Sequence, residues 1–326
     1  MLFPLKPAAL RRSVRIVFAI VCLAGGLQLF LYLRHVSGLA GPAVARPPVV
    51  EGFLPIAALL GLKRLSLGEG YDFVHPAGLT ILLAVLAASW LLRRSFCGHV
   101  CPVGFMSEAL GRLGQRLGLG RRGARILDTP LRGVKFVILG FFLVQVGGMD
   151  AASLESFVTS PYNITADARM LLFYRNPSGT ALVVLAVLAA LGLVFRNAWC
   201  RWLCPYGALL GLAALAGPTA VRRDPSACVG CGTCERNCPA AIPICSKTTM
   251  RGPECLGCGQ CVANCPAPGA LGVRFLGRCV SWKTLCLGAA VVMFGAWLLA
   301  LSLGHWHSAL PASMLDALYA RAFLAS

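Results

Sequence analysis

The chain has 326 residues, 57% of them hydrophobic and only 13% charged, with a mean hydropathy of +0.74, which excludes an ordinary soluble globule and points to a membrane protein. The net charge of +18 would suggest nucleic acid as the partner of a soluble chain, but no nucleic-acid motif is present, and Lys and Arg gather beside membrane spans. Eight of the sixteen cysteines fall in a regular pattern between Cys228 and Cys265, which argues for metal clusters rather than a secreted disulfide scaffold.

An uncharged stretch of about 20 residues is enough to cross a bilayer. Ile16 to Leu33 is the first such stretch, preceded by Arg11, Arg12 and Arg15. "AVA" at Ala43 to Ala45 resembles a signal-peptidase site, yet the apolar run is too long and the site too distant, so a retained span is expected. Gly52 to Leu62 is apolar but short, which suits an interfacial or re-entrant segment. Phe73 to Leu92 is a second span, closed by Arg93 and Arg94. Phe136 to Met149 is a short third, which Lys135 would extend by snorkelling. Pro177 to Phe195 is a fourth and Thr284 to Gly304 a fifth. The spans carry no buried acids, since Glu51, Asp72 and Asp150 lie at their edges.

With the N-terminus inside, the segments 1–15, 93–135 and 196–283 face the cytoplasm and carry 23 of the 30 Lys and Arg residues. That bias predicts a cytoplasmic N-terminus and a periplasmic C-terminus.

The chain also repeats itself. "HPAG…RRSFCGHVCPVG" from His75 matches "NPSG…FRNAWCRWLCPYG" from Asn176, with the cysteines offset by 103 residues. Two copies of like topology predict a pseudo-twofold axis along the membrane normal, bringing Cys97, Cys101, Cys200 and Cys204 together. Pro102 and Pro205 suit the first turn of new helices, which puts Cys101 and Cys204 at N-caps, where a helix favours thiolate. Arg93, Arg94, Arg196 and Arg201 push the same way. These four cysteines are candidate redox or metal thiols: a metal, a third cluster, dithiol–disulfide cycling, or a plain structural staple. After the first pair, Val103, Met106, Leu110, Leu113 and Leu117 form one apolar stripe, with Arg112, Gln115 and Arg116 elsewhere. That predicts an amphipathic helix, lying on the membrane or on the protein's own spans.

"CVGCGTCERNCP" and "CLGCGQCVANCP" each read C-x₂-C-x₂-C-x₃-C-P. In two-cluster ferredoxins, three close cysteines wrap one [4Fe–4S] cube and the fourth reaches the other. Cys228, Cys231, Cys234 and Cys265 are therefore assigned to one cluster, and Cys255, Cys258, Cys261 and Cys238 to the other. Gly230, Gly232, Gly257 and Gly259 stand where the backbone must approach closely. Zinc also binds C-x₂-C pairs, but a doubled four-cysteine run ending in Pro favours iron–sulfur clusters. Arg222, Arg223, Arg236, Lys247, Arg251 and Arg274 surround the block, offsetting cluster charge, docking an acidic partner or simply facing solvent. Cys245 matches no ligand position and reads as a spare buried thiol, as do Cys22, Cys279 and Cys286.

Two C-x₃-C-P motifs followed by a two-cluster ferredoxin block resemble the NapH-type membrane polyferredoxins, whose relatives include MauN, CcoG and the C-terminal part of NosR. The resemblance runs from about Arg12 to Phe275. It differs from NosR in the large periplasmic flavin-binding domain and from CcoG in the C-terminal soluble extension, neither of which occurs in these 326 residues. The family implies electron transfer at the bacterial inner membrane, often from quinol to a partner redox protein, and in the CcoG branch copper reduction during metal-centre assembly. Soft thiolates at Cys97, Cys101, Cys200 and Cys204 suit copper as well; a redox-sensing membrane regulator is a further reading.

The expected fold is thus a polytopic α-helical membrane protein of about five spans, internally duplicated, with an inserted small α+β two-cluster ferredoxin domain. Residues 1–218 form the four-span membrane domain, 219–278 the cytoplasmic ferredoxin-type domain, and 279–326 the fifth span and outer tail.

Overall fold

The computed structural model describes residues 7–120 and 125–325. Lys6, Arg121 and Arg122, which contribute to the charge bias, lie outside the described residues.

In chain order the elements are α1 (Pro7–Val36), a 3₁₀ turn (Pro48–Phe53), α2 (Pro55–Ser66), α3 (Pro76–Leu92), α4 (Ser95–His99), α5 (Pro102–Arg116), α6 (Arg125–Gly148), α7 (Ala151–Val158), α8 (Pro161–Ile164), α9 (Ala166–Arg175) and α10 (Gly179–Val194). A π turn (Trp199–Leu203), α11 (Pro205–Leu215), β1 (Thr219–Arg223), α12 (Thr233–Arg236), β2 (Thr249–Met250), α13 (Gln260–Ala263), β3 (Leu271–Phe275), β4 (Arg278–Val280), α14 (Lys283–Ser302) and α15 (Ala312–Leu324) follow.

Among the described residues, three helical stretches are long and apolar enough to cross a bilayer: Ala9–Val36, Asp128–Gly148 and Lys283–Ser302. A fourth exists if α9 and α10, bent by 82° across a short break, count as one. α3 is apolar throughout but has 17 residues. Side chains such as Leu23, Val137, Val183 and Val291 stand more than 60% exposed on these helices, a surface suited to lipid rather than water.

Two compact units divide the chain. The first comprises the segment up to Ala19, Val85–Leu139 and Val187–Met293. Its sheet is antiparallel, in the order β2-β1-β3-β4, with Val221 opposite both Met250 and Val273. Val221, Ile244, Met250, Leu256 and Leu271 form the apolar core around which the ferredoxin cysteines gather.

α5 belongs to this unit and turns the wrong face outward for a helix in water. Gly104, Ser107, Glu108, Gly111 and Gly114 are its buried face, while Val103, Met106, Leu113 and Leu117 are exposed. The apolar stripe is the one read from sequence, and its outward aim suits an interfacial helix. A Cβ on Gly111 would come within 3.3 Å of the Arg196 Cα, so only small residues let α5 lie this close to the end of α10.

The second unit comprises Ile20–Ala84, Gly140–Ala186 and the chain from Phe294. Leu29, Leu33, Leu60, Leu154, Ile164 and Tyr319 are central to its core. Set into that core is a polar network. Arg46 pairs with Glu51 at 2.9 Å and with Asp167 at 2.9 Å. Tyr319 donates to Asp167 at 2.6 Å, and Gly78 N–H donates to Glu51 at 2.9 Å. Glu51, in the 3₁₀ turn, and Asp72, in the loop before α3, lie outside the apolar helices as expected, yet both are buried, and Asp167 is buried with them. His305 stacks on Tyr71, with ring centroids 4.3 Å apart.

Candidate metal centres

The two ferredoxin runs fold as their spacing requires. Gly230, Gly232, Gly257 and Gly259 have φ of +69°, +69°, +58° and +67°, values that L-residues with a Cβ rarely adopt. These turns curl each run so that amides follow the sulfurs: N–H groups of Gly230, Thr233, Gln260 and Val262 donate to Cys228, Cys231, Cys258 and Cys261.

Cys228, Cys231, Cys234 and Cys265 line one hollow, and Cys238, Cys255, Cys258 and Cys261 line another. They enclose about 320 and 400 Å³ of atom-free space respectively, open mouths included. Four thiols per hollow, amides aimed at sulfur and an apolar lining fit a [4Fe–4S] cube.

The two hollows differ in exposure. Cys231 is exposed and Cys228 half-buried, whereas Cys238 and Cys255 are buried. The Gly230 amide and the Arg223 side chain hold the Cys228 thiol below its usual range. Burial pushes Cys238 up to about 12. Cys245, unassigned from spacing, lines the first hollow with its Sγ 3.8 Å from that of Cys234. Nothing in its spacing marks it, because the loop from Pro239 brings it back to the site.

The two C-x₃-C-P motifs have matching caps. Cys101 and Cys204 are the N-caps of α5 and α11, with Pro102 and Pro205 following, and their Sγ atoms accept from Gly104 N at 3.5 Å and Gly207 N at 3.2 Å. The repeats meet here. Ser107 of the first hydrogen-bonds Cys200 of the second, and the Phe96 ring meets Tyr206 edge-on at 6.4 Å between centroids. Buried Arg94 lies between them, its Nη2 4.0 Å from Cys97 Sγ and directly against Gly207.

Three expectations from sequence are corrected. The helix N-termini do not win at these thiols: the Gly104 and Gly207 amides pull Cys101 and Cys204 down, but burial outweighs them and pushes both upward, as it pushes Cys200 up to about 12, with neighbouring thiols adding to it. Nor do four arginines serve them. Arg201 is taken by Asp128, Arg196 donates to Arg236 O at 2.6 Å, and Arg93 donates to the carbonyls of Ala214 and Gly252. Arg94 alone faces sulfur. Lys135 does not snorkel; it is buried and pairs with Glu254 at 2.6 Å.

The motif "CGHVC" is also a seat for the second ferredoxin run. A Cβ on Gly98 would lie 2.8 Å from Leu256 O and 3.3 Å from Cys258 Cβ, and one on Gly257 2.7 Å from Leu92 O. Arg11 Nε donates to Gly98 O at 3.0 Å. Both Arg11 and Arg15 pair with Glu108 at 2.6 Å, inside the protein. His99 is buried; burial and then Arg11 hold it neutral, with its pKa down to about 3, and its Nδ1 bonds Ser95 O at 3.0 Å.

Comparisons agree with this chemistry. A family model described as a 4Fe-4S binding domain matches residues 74–120 and again 178–223, and one described as a 4Fe-4S dicluster domain matches 220–267. The chain is 43% identical over 203 residues to YccM of Escherichia coli (strain K12), provisionally named an electron transport protein, covering 62% of this chain and 57% of YccM. It is 31% identical over 203 residues to the methylamine utilization ferredoxin-type protein MauN of Paracoccus denitrificans, covering 59% of this chain and 67% of that protein. Against the ferredoxin-type protein NapH of E. coli K12 the figures are 26% over 182 residues, 56% and 59%. No solved structure matches. The chain is thus a 4Fe-4S protein with apolar helices, and it belongs to the NapH-type family of membrane polyferredoxins.

Proposed function

We propose that this chain is a membrane-bound iron–sulfur electron carrier that links a donor in the bilayer, with quinol the class expected, to a partner redox protein. The observation that carries the reading is the sorting of eight cysteines into two quartets, each around its own hollow. Cys228, Cys231, Cys234 and Cys265 would hold one [4Fe–4S] cluster and Cys238, Cys255, Cys258 and Cys261 the second. When bound, such clusters supply one-electron transfer at potentials set by hydrogen bonds to sulfur and by solvent exposure. The chain's own residues then divide the work. Burial and apolar packing keep water from the second quartet, while the rim of the first reaches the surface at Cys231.

Beside that rim stand Arg223 and Arg236, with Val229 71% exposed. This is the surface we assign to an acidic redox partner. The domain scheme proposed is the membrane part at 1–218, the ferredoxin-type domain at 219–278 and a last span at 279–326. With α3 and α10 counted as spans the total is five, and the basic bias favours an inner-membrane orientation with the ferredoxin domain in the cytoplasm.

Anaerobic purification of the full chain, with iron and sulfide analysis and paramagnetic resonance after reduction, tests the proposal. The expected result is at least about eight irons per chain and a low-potential cluster signal. Zinc without iron refutes it.

A further inference from the structure

Once the ferredoxin quartets are assigned, one cluster of thiols is left over. Cys97 and Cys101 come from the first repeat, Cys200 and Cys204 from the second, and the contacts of Ser107, Phe96 and Arg94 join the two pairs. Arg94 is buried, its Nε has no hydrogen-bond partner, and among the described residues no carboxylate lies within ion-pair distance of it: Glu254, the nearest in effect, is paired with Lys135, and the Cys97 sulfur acts on Arg94 more strongly. A buried guanidinium with no directly paired anion is costly, so the anion belongs where the guanidinium points. It points at the thiols.

We propose that Cys97, Cys101, Cys200 and Cys204 jointly hold a third [4Fe–4S] cluster, completed only when the two repeats meet and charge-balanced by Arg94. Each repeat supplies two ligands, half of what a cube needs. Four thiolates on such a cube leave net negative charge, which suits a fixed cation. The Gly104 and Gly207 amides donate to Cys101 and Cys204 as the loop amides do in the ferredoxin quartets. Among the described residues no three His, Cys, Asp or Glu side chains converge as tightly as one metal ion requires, whereas a cube, with its irons apart, accepts a wider set. The family model described as 4Fe-4S binding matches each repeat separately, although each has only two of these cysteines. Cys97 also packs on the same apolar cluster as Cys238 and Cys255, so the site adjoins the second quartet.

The inference rests on the iron–sulfur reading above, and one experiment separates them. Iron, zinc and sulfide are counted per chain in anaerobically purified wild type and in the variant with Cys97, Cys101, Cys200 and Cys204 all changed to serine. About twelve irons in wild type and about eight in the variant, a loss of one third, is the expected result. About eight in both, or about eight plus a zinc that the variant loses, overturns the third cluster and leaves the ferredoxin clusters standing. No iron in wild type overturns both. The wild-type count alone separates twelve from eight, so a variant that fails to fold does not blunt the test.

Discussion

Glu108 is a single carboxylate asked to neutralise three guanidiniums. Its oxygens meet Arg11 at 2.9 and 2.6 Å, Arg15 at 2.6 Å and Arg112 at 2.5 Å. The Arg11 and Arg15 side chains are 4% exposed and that of Glu108 10%, whereas Arg112 is 52% exposed. Changing Glu108 to Gln therefore leaves two buried cations without an anion. Breaking a buried pair costs about 3–5 kcal/mol, while the exposed Arg112 arm is worth under about 1 kcal/mol. The assay is thermal unfolding of the detergent-solubilised chain, followed by tryptophan fluorescence. Glu108→Gln should lower the midpoint by many degrees and Arg112→Ala by few. Replacing Arg11, Arg15 and Glu108 together with Met, Met and Leu should recover much of the loss.

The same site gives a pH dependence with a definite sign. Burial would raise the Glu108 carboxyl, but Arg11 and then Arg15 overcome it and hold it well below its usual 4.5. A folded-state pKa below the unfolded one means the stabilisation is complete above about 4.5 and is lost as pH falls below it. Wild type should thus match its neutral-pH stability down to about pH 5 and, below about pH 4.5, lose stability more steeply than Glu108→Gln. Equal midpoints for Glu108→Gln and Arg112→Ala, or parallel pH curves, would refute the reasoning.

Arg46→Met strips the counter-charge from Glu51 and Asp167 in the second unit and should cost about 3–5 kcal/mol in the same unfolding assay, with a loss under about 1 kcal/mol counting against that network as a structural core. Gly217→Ala drives a methyl into the Trp90 carbonyl and should cut the yield of folded protein in fluorescence-detected chromatography, whereas Gly133→Ala meets nothing within 4 Å and should be neutral. Cys245→Ser should leave iron content unchanged. Cys234→Ser should lose less iron than Cys231→Ser, because Cys245 stands 3.8 Å from Cys234 and can replace it; equal losses would end that idea.

Much of the ferredoxin block can be read from spacing, because C-x₂-C-x₂-C-x₃-C is itself a local geometry and the glycines at 230, 232, 257 and 259 mark where the backbone must turn left-handed. The repeat can be read for the same reason, since Pro102 and Pro205 set the caps of Cys101 and Cys204 by local rules. What could not be read depends on distant partners. The period of α5 is evident in sequence, but not that its small residues, rather than its leucines, face the protein. Four arginines near the thiols look alike until Asp128 and the carbonyls of Ala214, Gly252 and Arg236 claim three of them. The Arg46 network joins Glu51 to Asp167 and Tyr319, residues on separate elements that no periodicity connects. Nor does helix-dipole reasoning survive full burial: at Cys101 the cost of charging a desolvated thiol outweighs the cap.

The duplication has a use beyond doubling the cysteines. Arg94 and Asn197 occupy equivalent positions in the two repeats, 103 residues apart like the cysteines. Arg94 Nη1 donates to Pro253 O at 3.0 Å, just ahead of Cys255, and Asn197 Nδ2 donates to Pro239 O at 3.1 Å, just after Cys238. The same position of each repeat thus grips one of the two chain segments that bring cysteines to the second quartet. A single cysteine run cannot place that quartet against the C-x₃-C-P motifs by itself, because its cysteines come from both runs. Holding both segments, one per repeat, fixes the second quartet against the C-x₃-C-P motifs and leaves the first quartet free to face outward. One repeat keeps the charged residue and the other the neutral amide, so Arg94 has no guanidinium counterpart at the matching position of the second repeat.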